Sequence, residues 1–108
     1  NWNGGEVFEH CLKSLKKITY PNWELIIIDN NSADGTEKYA TIRNNTNLGF
    51  APANNQGVKI SIGKYILLLN NDTLVQKDFL SVLLNDNPST ISFYQCRSLK
   101  ETLLLLQA

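Results

Sequence analysis

The segment Glu24-Leu25-Ile26-Ile27-Ile28-Asp29 contains four large apolar side chains in succession between two acids. A continuous apolar and β-branched run of this length is typical of a strand buried on both faces. The Asn, Ser, Asp and Gly residues from Asn30 to Gly35 then favour a turn. A second apolar run, Tyr65 to Leu69, predicts another buried strand, and it also ends in a polar cluster.

Helical patterns surround these two strands. Apolar residues at helical spacing predict a first helix from Gly4 to Lys17, with Asn3 as its candidate N-cap. The other expected elements are a short helix over Thr36 to Tyr39, a short strand over Thr41 to Arg43, a helix over Phe50 to Ile62 with Ala51, Asn55, Val58 and Ile62 along one stripe, and a helix over Phe79 to Leu84. This order predicts an α/β layered fold with a mostly parallel sheet.

Size and composition limit the possible functions. A chain of 108 residues suggests one domain at most. The formal net charge of 0 gives no electrostatic case for nucleic acid or an anionic membrane surface. Cys11 and Cys96 are too few for a disulfide scaffold, and Cys11 is expected to be a small buried hydrophobe. Because no secretory signal and no transmembrane stretch are found, a cytoplasmic location is expected.

Two carboxylates follow the two buried strands. Asp29 ends the first strand, and Asp72 follows the second. Ligands of open parallel sheets bind outside the carboxyl ends of the strands, so both carboxylates are expected to face one crevice. Asp29 could accept hydrogen bonds from a base or a ribose, or it could form an Asx-turn with nearby backbone amides.

Asp72 and Asn55 each have two interpretations. Asp72 could hold Mg²⁺ or Mn²⁺ together with substrate phosphates, or it could be an ordinary turn residue. Asn55 lies on an otherwise apolar helix stripe and must be hydrogen-bonded if it is buried. It could tether the loop from Asn44 to Gly49, which we favour on sequence alone, or it could face a ligand.

Several competing motifs are rejected. The stretch from Asn30 to Gly35 resembles the start of an EF-hand loop, but Thr41 stands where the closing Glu belongs. The sequence holds neither GxGxxG nor GxxxxGK[ST], which excludes a Rossmann fingerprint and a P-loop. His10 is the only histidine, so a His-based metal cluster or a Ser/His/Asp set is not expected.

Three blocks together resemble family 2 glycosyltransferases of the GT-A type. They are Ser14-Leu15 with Tyr20-Pro21 and Glu24 to Thr36, then Asn47-Leu48-Gly49-Phe50-Ala51 with Ala53, Asn55 and Gly57, and then Gly63 to Thr73. The resemblance spans about Asn1 to Leu84, in the family's order, and is closest to a rhamnosyltransferase-like subset. It implies a three-layer, Rossmann-like nucleotide-diphospho-sugar transferase half-domain.

The resemblance also implies roles for individual residues. Asp29 would contact the base or ribose, the loop from Asn30 through Asn31 to Ser32 would line the same pocket, and Gly49 and Asn55 would lie beside the diphosphate. Asn3 and Asn71 would complete the nucleotide-sugar site, and Asp72 with Asn70 would hold a divalent cation, Mn²⁺ or Mg²⁺. The implied partners are a nucleotide diphosphate sugar and a glycan or lipid-linked acceptor, with peripheral membrane association possible for the parent enzyme and no role for nucleic acid.

The chain departs from the family pattern in three places. Asn70 replaces an Asp of the metal motif and removes a charge, so a lower metal affinity is expected. The family's first apolar strand would precede Asn1, and without it we expect exposed apolar surface. The third departure is the segment after Pro88, which does not follow the family pattern. Residues 1–88 are therefore interpreted as the donor-binding part and residues 89–108 as an atypical tail. No catalytic base is identified, and nothing in the sequence places Glu101 near the site.

Two other functions remain open on the sequence. The first is a non-catalytic nucleotide-binding or remnant fragment that lacks the catalytic base. The second is a sugar nucleotidyltransferase, which shares a layered sheet but needs a Gly-rich phosphate loop, of which Gly4-Gly5 is a poor version.

Overall fold

The computed structural model of the chain describes residues 1–63 and 65–85, and the backbone of residues 103–107. The helices are α1 (Gly5–Leu15), α2 (Phe50–Ile60) and α3 (Phe79–Asn85), with a short 3₁₀ helix at Thr36–Tyr39. The strands are β1 (Glu24–Asp29), β2 (Ile42–Arg43), β3 (Tyr65–Leu69) and β4 (Leu103–Gln107). The elements expected from the sequence all form, with ends that differ by up to two residues.

The four strands form one sheet in the order β2-β1-β4-β3. β1 and β2 are parallel, and β4 runs antiparallel to both β1 and β3. β1, β2 and β3 therefore point in the same direction, and their carboxyl ends lie at the same edge of the sheet. The predicted α/β fold is confirmed, and three of the four described strands share one direction, although β4 pairs antiparallel with both of its neighbours.

The two faces of β1 pack against different helices, because successive side chains of a strand point to opposite sides. Ile27 joins a cluster with Phe8, Cys11, Leu12 and Leu15 of α1. Ile26 and Ile28 pack against Ala53 of α2. The sheet is thus the middle layer of three, and Cys11 is buried as expected.

The apolar segment at the end of the chain fills the middle of the sheet. β4 pairs with Glu24–Ile27 on one side and with Tyr65–Leu69 on the other. Leu103 to Leu106 form a short apolar run whose sequence favours neither helix nor strand. In the structure β4 lies between β1 and β3 and runs opposite to both. Ile91 and Phe93, which alternate in the sequence like residues of a strand, and Glu101 lie outside the described residues.

Two predictions about the helices are wrong: the buried face of α2 and the N-cap of α1. The predicted stripe of Ala51, Asn55, Val58 and Ile62 is exposed, with Ile62 beyond the end of α2, and the buried face of α2 consists of Ala53, Asn54 and Gly57. The small residues Ala53 and Gly57, four positions apart, let α2 approach the sheet closely, and this outweighs the larger apolar residues on its outer side. Asn3 also does not cap α1, because the N-cap is Gly4 and the Asn3 side chain bonds elsewhere.

Among the described residues, no helix is long and apolar enough to cross a membrane.

Candidate functional site

Asn1 connects the polar segments that follow the strands. Its amide nitrogen Nδ2 lies 3.0 Å from Asp29 Oδ1, 3.1 Å from Ser32 Oγ and 2.7 Å from Thr36 Oγ1. Its carbonyl Oδ1 accepts a hydrogen bond of 2.8 Å from Asn71 Nδ2. One buried side chain therefore joins the carboxyl end of β1, the 3₁₀ helix and the segment after β3.

The backbone of Asn1 extends the sheet beside the end of β1. The N–H of Asn1 donates to the carbonyl of Ile28, and the N–H of Asn30 donates to the carbonyl of Asn1 at 2.6 Å. A residue bonded in this way to both neighbours of Asp29 follows the pattern of a parallel ladder. Asn1 thus lies in register with Asp29.

Asp29 is completely buried, and its carboxylate is bonded within the chain. It accepts hydrogen bonds from the Ser32 backbone at 2.9 Å and from the Ser32 hydroxyl, and the guanidinium of Arg43 lies 3.9 Å away. These contacts are those of the Asx-turn that the sequence left open for Asp29. The contact of Asp29 with a nucleotide stays a prediction.

A chain of side-chain amides links β1 to α2. Asn30 is buried and donates to the carbonyl of Gly49 at 3.3 Å, while its own carbonyl accepts from Asn44 at 2.9 Å. Asn44 and Gln56 exchange two reciprocal hydrogen bonds of 2.8 Å. Gln56, rather than Asn55, therefore tethers the loop that begins at Asn44, and the favoured interpretation of Asn55 as the tether is wrong.

The absence of a side chain at Gly4 leaves room for the contact between Asn1 and Asn71. A Cβ at Gly4 would lie 2.6 Å from Asn1 Oδ1, 2.7 Å from Asn71 Nδ2 and 2.7 Å from the Cβ of Phe8. Glycine is needed here because any side chain would push apart the two amides that connect β1 to β3.

The predicted metal motif contains one exposed carboxylate and one half-buried amide. Asp72 is exposed and makes no hydrogen bond or ion pair within the described residues. Asn70 has a buried Nδ2 without a hydrogen-bond partner. Nearby, burial raises the pKa of the Cys11 thiol to about 11, and its sulfur lies 3.9 Å from the Asn70 carbonyl. Without a bound cation, this raised pKa keeps Cys11 a neutral thiol.

Metal binding at this motif would need oxygen atoms from a second molecule. In the described part of the chain, no three His, Cys, Asp or Glu side chains lie close enough together to hold an ion. The residues present fit a divalent cation that shares one carboxylate with substrate phosphates, which is a common arrangement for Mg²⁺. They do not fit an all-protein cage.

Apart from the half-buried Asn70, the predicted site residues divide into two groups. Asp29, Asn30, Ser32 and Asn71 are buried and bonded to other parts of the chain. Asn3, Asn31, Gly49, Asn55 and Asp72 are exposed. Asn3 is held beside the turn because its N–H donates to Ser32 Oγ at 2.9 Å and its Oδ1 accepts from Ala33 at 2.9 Å.

The structure brings most of these exposed residues to one edge of the sheet. Asn3, Asn31 and Gly49 surround the end of β1, and Asp72 follows the end of β3. Only β4 separates these two strands, so their axes lie about 10 Å apart at the usual strand spacing. Asn55 lies within α2 and makes no side-chain hydrogen bond among the described residues. Asp29 and Asp72 thus lie at the same edge of the sheet, with Asp29 buried and Asp72 exposed.

The contacts of four residues that organise this edge were not predicted from the sequence: Asn1, Thr36, Asn44 and Gln56. Asn44 and Gln56 stand in Asn-rich segments, where no periodicity distinguishes a buried amide from an exposed one. The sequence offered one signal for Gln56. The small residues Ala53 and Gly57, four positions apart, indicate the packed side of α2, and Gln56 lies at the margin of that side.

Comparison with known proteins identifies the family. The family model for glycosyl transferase family 2 matches residues 1–87. The chain is 25% identical over 93 residues to glycosyltransferase GlyG of Streptococcus pneumoniae, covering 76% of this chain and 31% of that protein. It is 29% identical over 91 residues to the putative teichuronic acid biosynthesis glycosyltransferase TuaG of Bacillus subtilis, covering 74% of this chain and 36% of that protein. It is 30% identical over 95 residues to the poly-beta-1,6-N-acetyl-D-glucosamine synthase of Staphylococcus epidermidis, covering 79% of this chain and 23% of that protein.

These similarities cover a limited part of the relatives. The chain spans between 23% and 36% of the length of these three relatives, and no solved structure matches it. The fold of the described residues is an α/β half-domain of the GT-A type. Because the family model covers most of the sequence and the layered sheet agrees with it, this chain belongs to glycosyl transferase family 2.

Proposed function

We propose that this chain is the donor-binding part of a glycosyltransferase that moves a sugar from a nucleotide diphosphate sugar to a glycan or lipid-linked acceptor with the help of a divalent cation. The observation that carries the proposal is the Asn1 connection between Asp29 and Asn71. It joins the ends of β1 and β3 into one polar edge, where open parallel sheets bind their ligands.

The nucleoside would bind at the turn after β1. The exposed amides of Asn3 and Asn31 offer donors and acceptors there, and the buried Asp29 keeps the turn in shape through its bonds to Ser32. Asn31 has a backbone φ of 68°, which directs the chain sharply at this point. A preorganised turn loses little conformational entropy when a ligand binds.

The diphosphate would lie between Gly49 and Asp72. Gly49 has no side chain to exclude a phosphate, and its φ of 84° is a conformation that glycine adopts easily. Asp72, with the side-chain carbonyl of Asn70, would hold Mn²⁺ or Mg²⁺. A bound cation would neutralise the charge that develops on the departing diphosphate. Asn in place of Asp at position 70 keeps an oxygen ligand but not its charge, so metal binding would be weak without the nucleotide.

The acceptor chemistry is supported by the relatives alone. One is named for teichuronic acid biosynthesis and another for poly-N-acetylglucosamine synthesis, both of which concern glycans. We propose a glycan or lipid-linked acceptor of this broad class, and a cytoplasmic site of action. A rhamnosyl donor fits the proposal as one of several sugars.

The second candidate function is nucleotide binding without transfer. Transfer to a hydroxyl group requires a general base. Among the described acids at this edge, Asp29 is buried, and Asp34 is bonded to Gly5 and Thr36. Asp72 is assigned to the metal. These assignments favour a module that binds the donor and depends on residues elsewhere for catalysis.

Calorimetry with uridine, guanosine and thymidine diphosphates would test donor binding, first with Mn²⁺ and then with a chelator. We expect binding in Mn²⁺ that falls at least tenfold with chelator and in Asp72→Ala. The matched control is Asp78→Ala, which removes an exposed acid from the segment after Asp72 and should bind like the wild type.

The outcomes separate the two functions. If none of the diphosphates binds to a protein whose circular dichroism shows that it is folded, the donor-binding proposal is wrong. If binding occurs, release of sugar from the matching nucleotide diphosphate sugar, with and without a glycan acceptor, distinguishes a transferase from a binding module.

A further inference from the structure

Arg43 lies at the end of β2, directly beside the end of β1. The two strands are parallel, and Arg43 is the register partner of Asp29. Its Nε lies 3.9 Å from Asp29 Oδ2, and its Nη2 donates to the carbonyl of Ser32 at 3.3 Å. The guanidinium is therefore held against the turn after β1, where the nucleoside of the proposed donor would bind.

Only part of this guanidinium is engaged within the protein. The side chain of Arg43 is 55% exposed, although Asp29 beside it is completely buried. Within the described part of the chain, Nη1 of Arg43 has no hydrogen-bond partner. Arginine carries five N–H donors in a rigid plane, so anchoring some of them fixes the direction of the others. Arg43 thus presents oriented, charged donors to solvent at the edge of the sheet.

Asp29 itself is not available for direct contact with a ligand. Its Oδ1 accepts hydrogen bonds from Asn1 Nδ2 at 3.0 Å and from the Ser32 hydroxyl, and its Oδ2 accepts from the Ser32 N–H at 2.9 Å. A base or ribose could reach this buried carboxylate only after some of these bonds broke, which costs free energy. The family resemblance assigns the nucleoside contact to Asp29, whereas the exposure of its neighbour favours Arg43.

The strand order places Arg43 on the side where the base of the donor would lie. β2 and β3 are the outer strands of the sheet, and β1 and β4 lie between them. At the usual strand spacing, the axes of β2 and β3 are about 14 Å apart. A donor with its diphosphate near Asp72 and its nucleoside at the turn after β1 would therefore point its base towards β2.

We infer that Arg43 recognises the nucleobase of the donor by donating N–H groups to a carbonyl oxygen of the base. These donors favour uracil, thymine and guanine, each of which carries a ring carbonyl where adenine carries an amino group. Guanine would also offer a ring nitrogen to the same planar fork of N–H groups. This role rests on the proposed function, because Arg43 can select a base only if the edge binds a nucleotide.

Calorimetry in Mn²⁺ with uridine diphosphate, adenosine diphosphate and inorganic pyrophosphate tests this role, with weak ligands measured by displacement of uridine diphosphate. We expect the wild type to prefer uridine diphosphate to adenosine diphosphate. Arg43→Gln should weaken binding of uridine diphosphate about tenfold, the effect of one lost charge-assisted hydrogen bond, and should leave the other two ligands unaffected.

Two further variants separate base recognition from charge and folding. Arg43→Lys keeps a positive charge beside Asp29 but loses the planar fork, so it should fold like the wild type and also lose the preference for uridine diphosphate. The matched control is Lys59→Gln, which removes an exposed positive charge from the last turn of α2 and should bind all three ligands like the wild type. Circular dichroism checks that each variant is folded.

Three outcomes would overturn the role of Arg43. If Arg43→Gln weakens all three ligands alike, Arg43 acts on the phosphates or on the shape of the turn rather than on the base. If Arg43→Gln binds uridine diphosphate as well as the wild type does, Arg43 does not contact the ligand. Both results leave the proposed function intact, whereas a wild type that binds no nucleoside diphosphate overturns the proposed function and base recognition together.

Discussion

The Nδ2 of Asn71 donates to the Oδ1 of Asn1 at 2.8 Å, across 70 positions of sequence and in a fully buried setting. This bond is the direct side-chain connection between the residue beside the end of β1 and the segment after β3. Because both strands contribute to the proposed donor site, the geometry of the site depends on this pair of amides.

Replacing Asn71 by Ala should destabilise the protein. The substitution removes the buried hydrogen bond from Asn71 Nδ2 to Asn1 Oδ1, and deleting one partner of a buried hydrogen bond costs about 1–3 kcal/mol. Urea unfolding followed by circular dichroism measures the change. Asn55→Ala is the matched control, because Asn55 is exposed without a side-chain hydrogen bond among the described residues, and its effect should stay within about 0.5 kcal/mol. Equal effects of the two substitutions would contradict the importance of the buried bond.

Gly4→Ala should be destabilising for a steric reason. The added methyl group would lie within 2.7 Å of atoms of Asn1, Asn71 and Phe8, which are themselves buried. Overpacking of this kind costs about 1–3 kcal/mol. The same urea experiment on Gly35→Ala provides the control, since a Cβ there meets nothing within 4 Å and only the positive φ of 90° opposes it. A Gly4→Ala variant as stable as the wild type would show that the contact around Gly4 relaxes freely.

The pH dependence of stability should reveal Asp34. Partial desolvation raises the pKa of Asp34, but hydrogen bonds from Thr36 and from the N–H of Gly5 lower it, and the net direction is downward. A carboxyl whose pKa is lower in the folded state stabilises that state above the unfolded pKa, about 4, and loses this contribution as the pH falls through the folded value. Asp34→Asn should therefore be less stable than the wild type at pH 7, and the difference should shrink in acid.

Urea midpoints of both proteins between pH 7 and the acid limit would measure this difference. Asn keeps an acceptor for the N–H of Gly5 at 2.8 Å, so the geometry is retained while the charge at the start of α1 is lost. A difference in urea midpoint between the two proteins that increases as the pH falls would contradict the predicted direction of the pKa shift.

Leu105→Pro tests the place of β4 in the sheet. The backbone of Leu105 is paired with Leu25 of β1 and with Leu67 of β3. Proline has no N–H for the ladder and is not tolerated in a central strand, so the loss should be at least about 2 kcal/mol. Leu105→Ile keeps the volume and the strand preference, and should leave the urea midpoint nearly unchanged. If the two variants unfold at the same midpoint, β4 does not contribute to the sheet in solution.

The helices and parallel strands could be predicted because their signals are local. The run Ile26-Ile27-Ile28 specifies a strand buried on both faces, and the two clusters on either side of β1 confirm it. The turn after Asp29 was recognisable from the residue types alone. Asp72 was likewise predicted next to the strand end, and it lies there, exposed.

The buried amides could not be predicted because their partners are distant in sequence. Asn1, Asn44 and Gln56 look like any other polar residues of an Asn-rich chain until Asp29, Asn30 and Asn71 are brought beside them. The face of α2 was predicted wrongly for a related reason. Apolar periodicity favoured Val58 and Ile62, whereas the close fit of Ala53 and Gly57 on β1 decided which side is buried.

Local patterns in the sequence were sufficient to establish the layered α/β class, the family and the position of the polar segments at the strand ends, since hydrophobic runs and turn residues act over a few positions of the chain. Tertiary packing encloses Asp29 while leaving Asp72 open, and it inserts β4 between β1 and β3. These features depend on the burial of polar groups and on strand order, which arise when separate segments pack together.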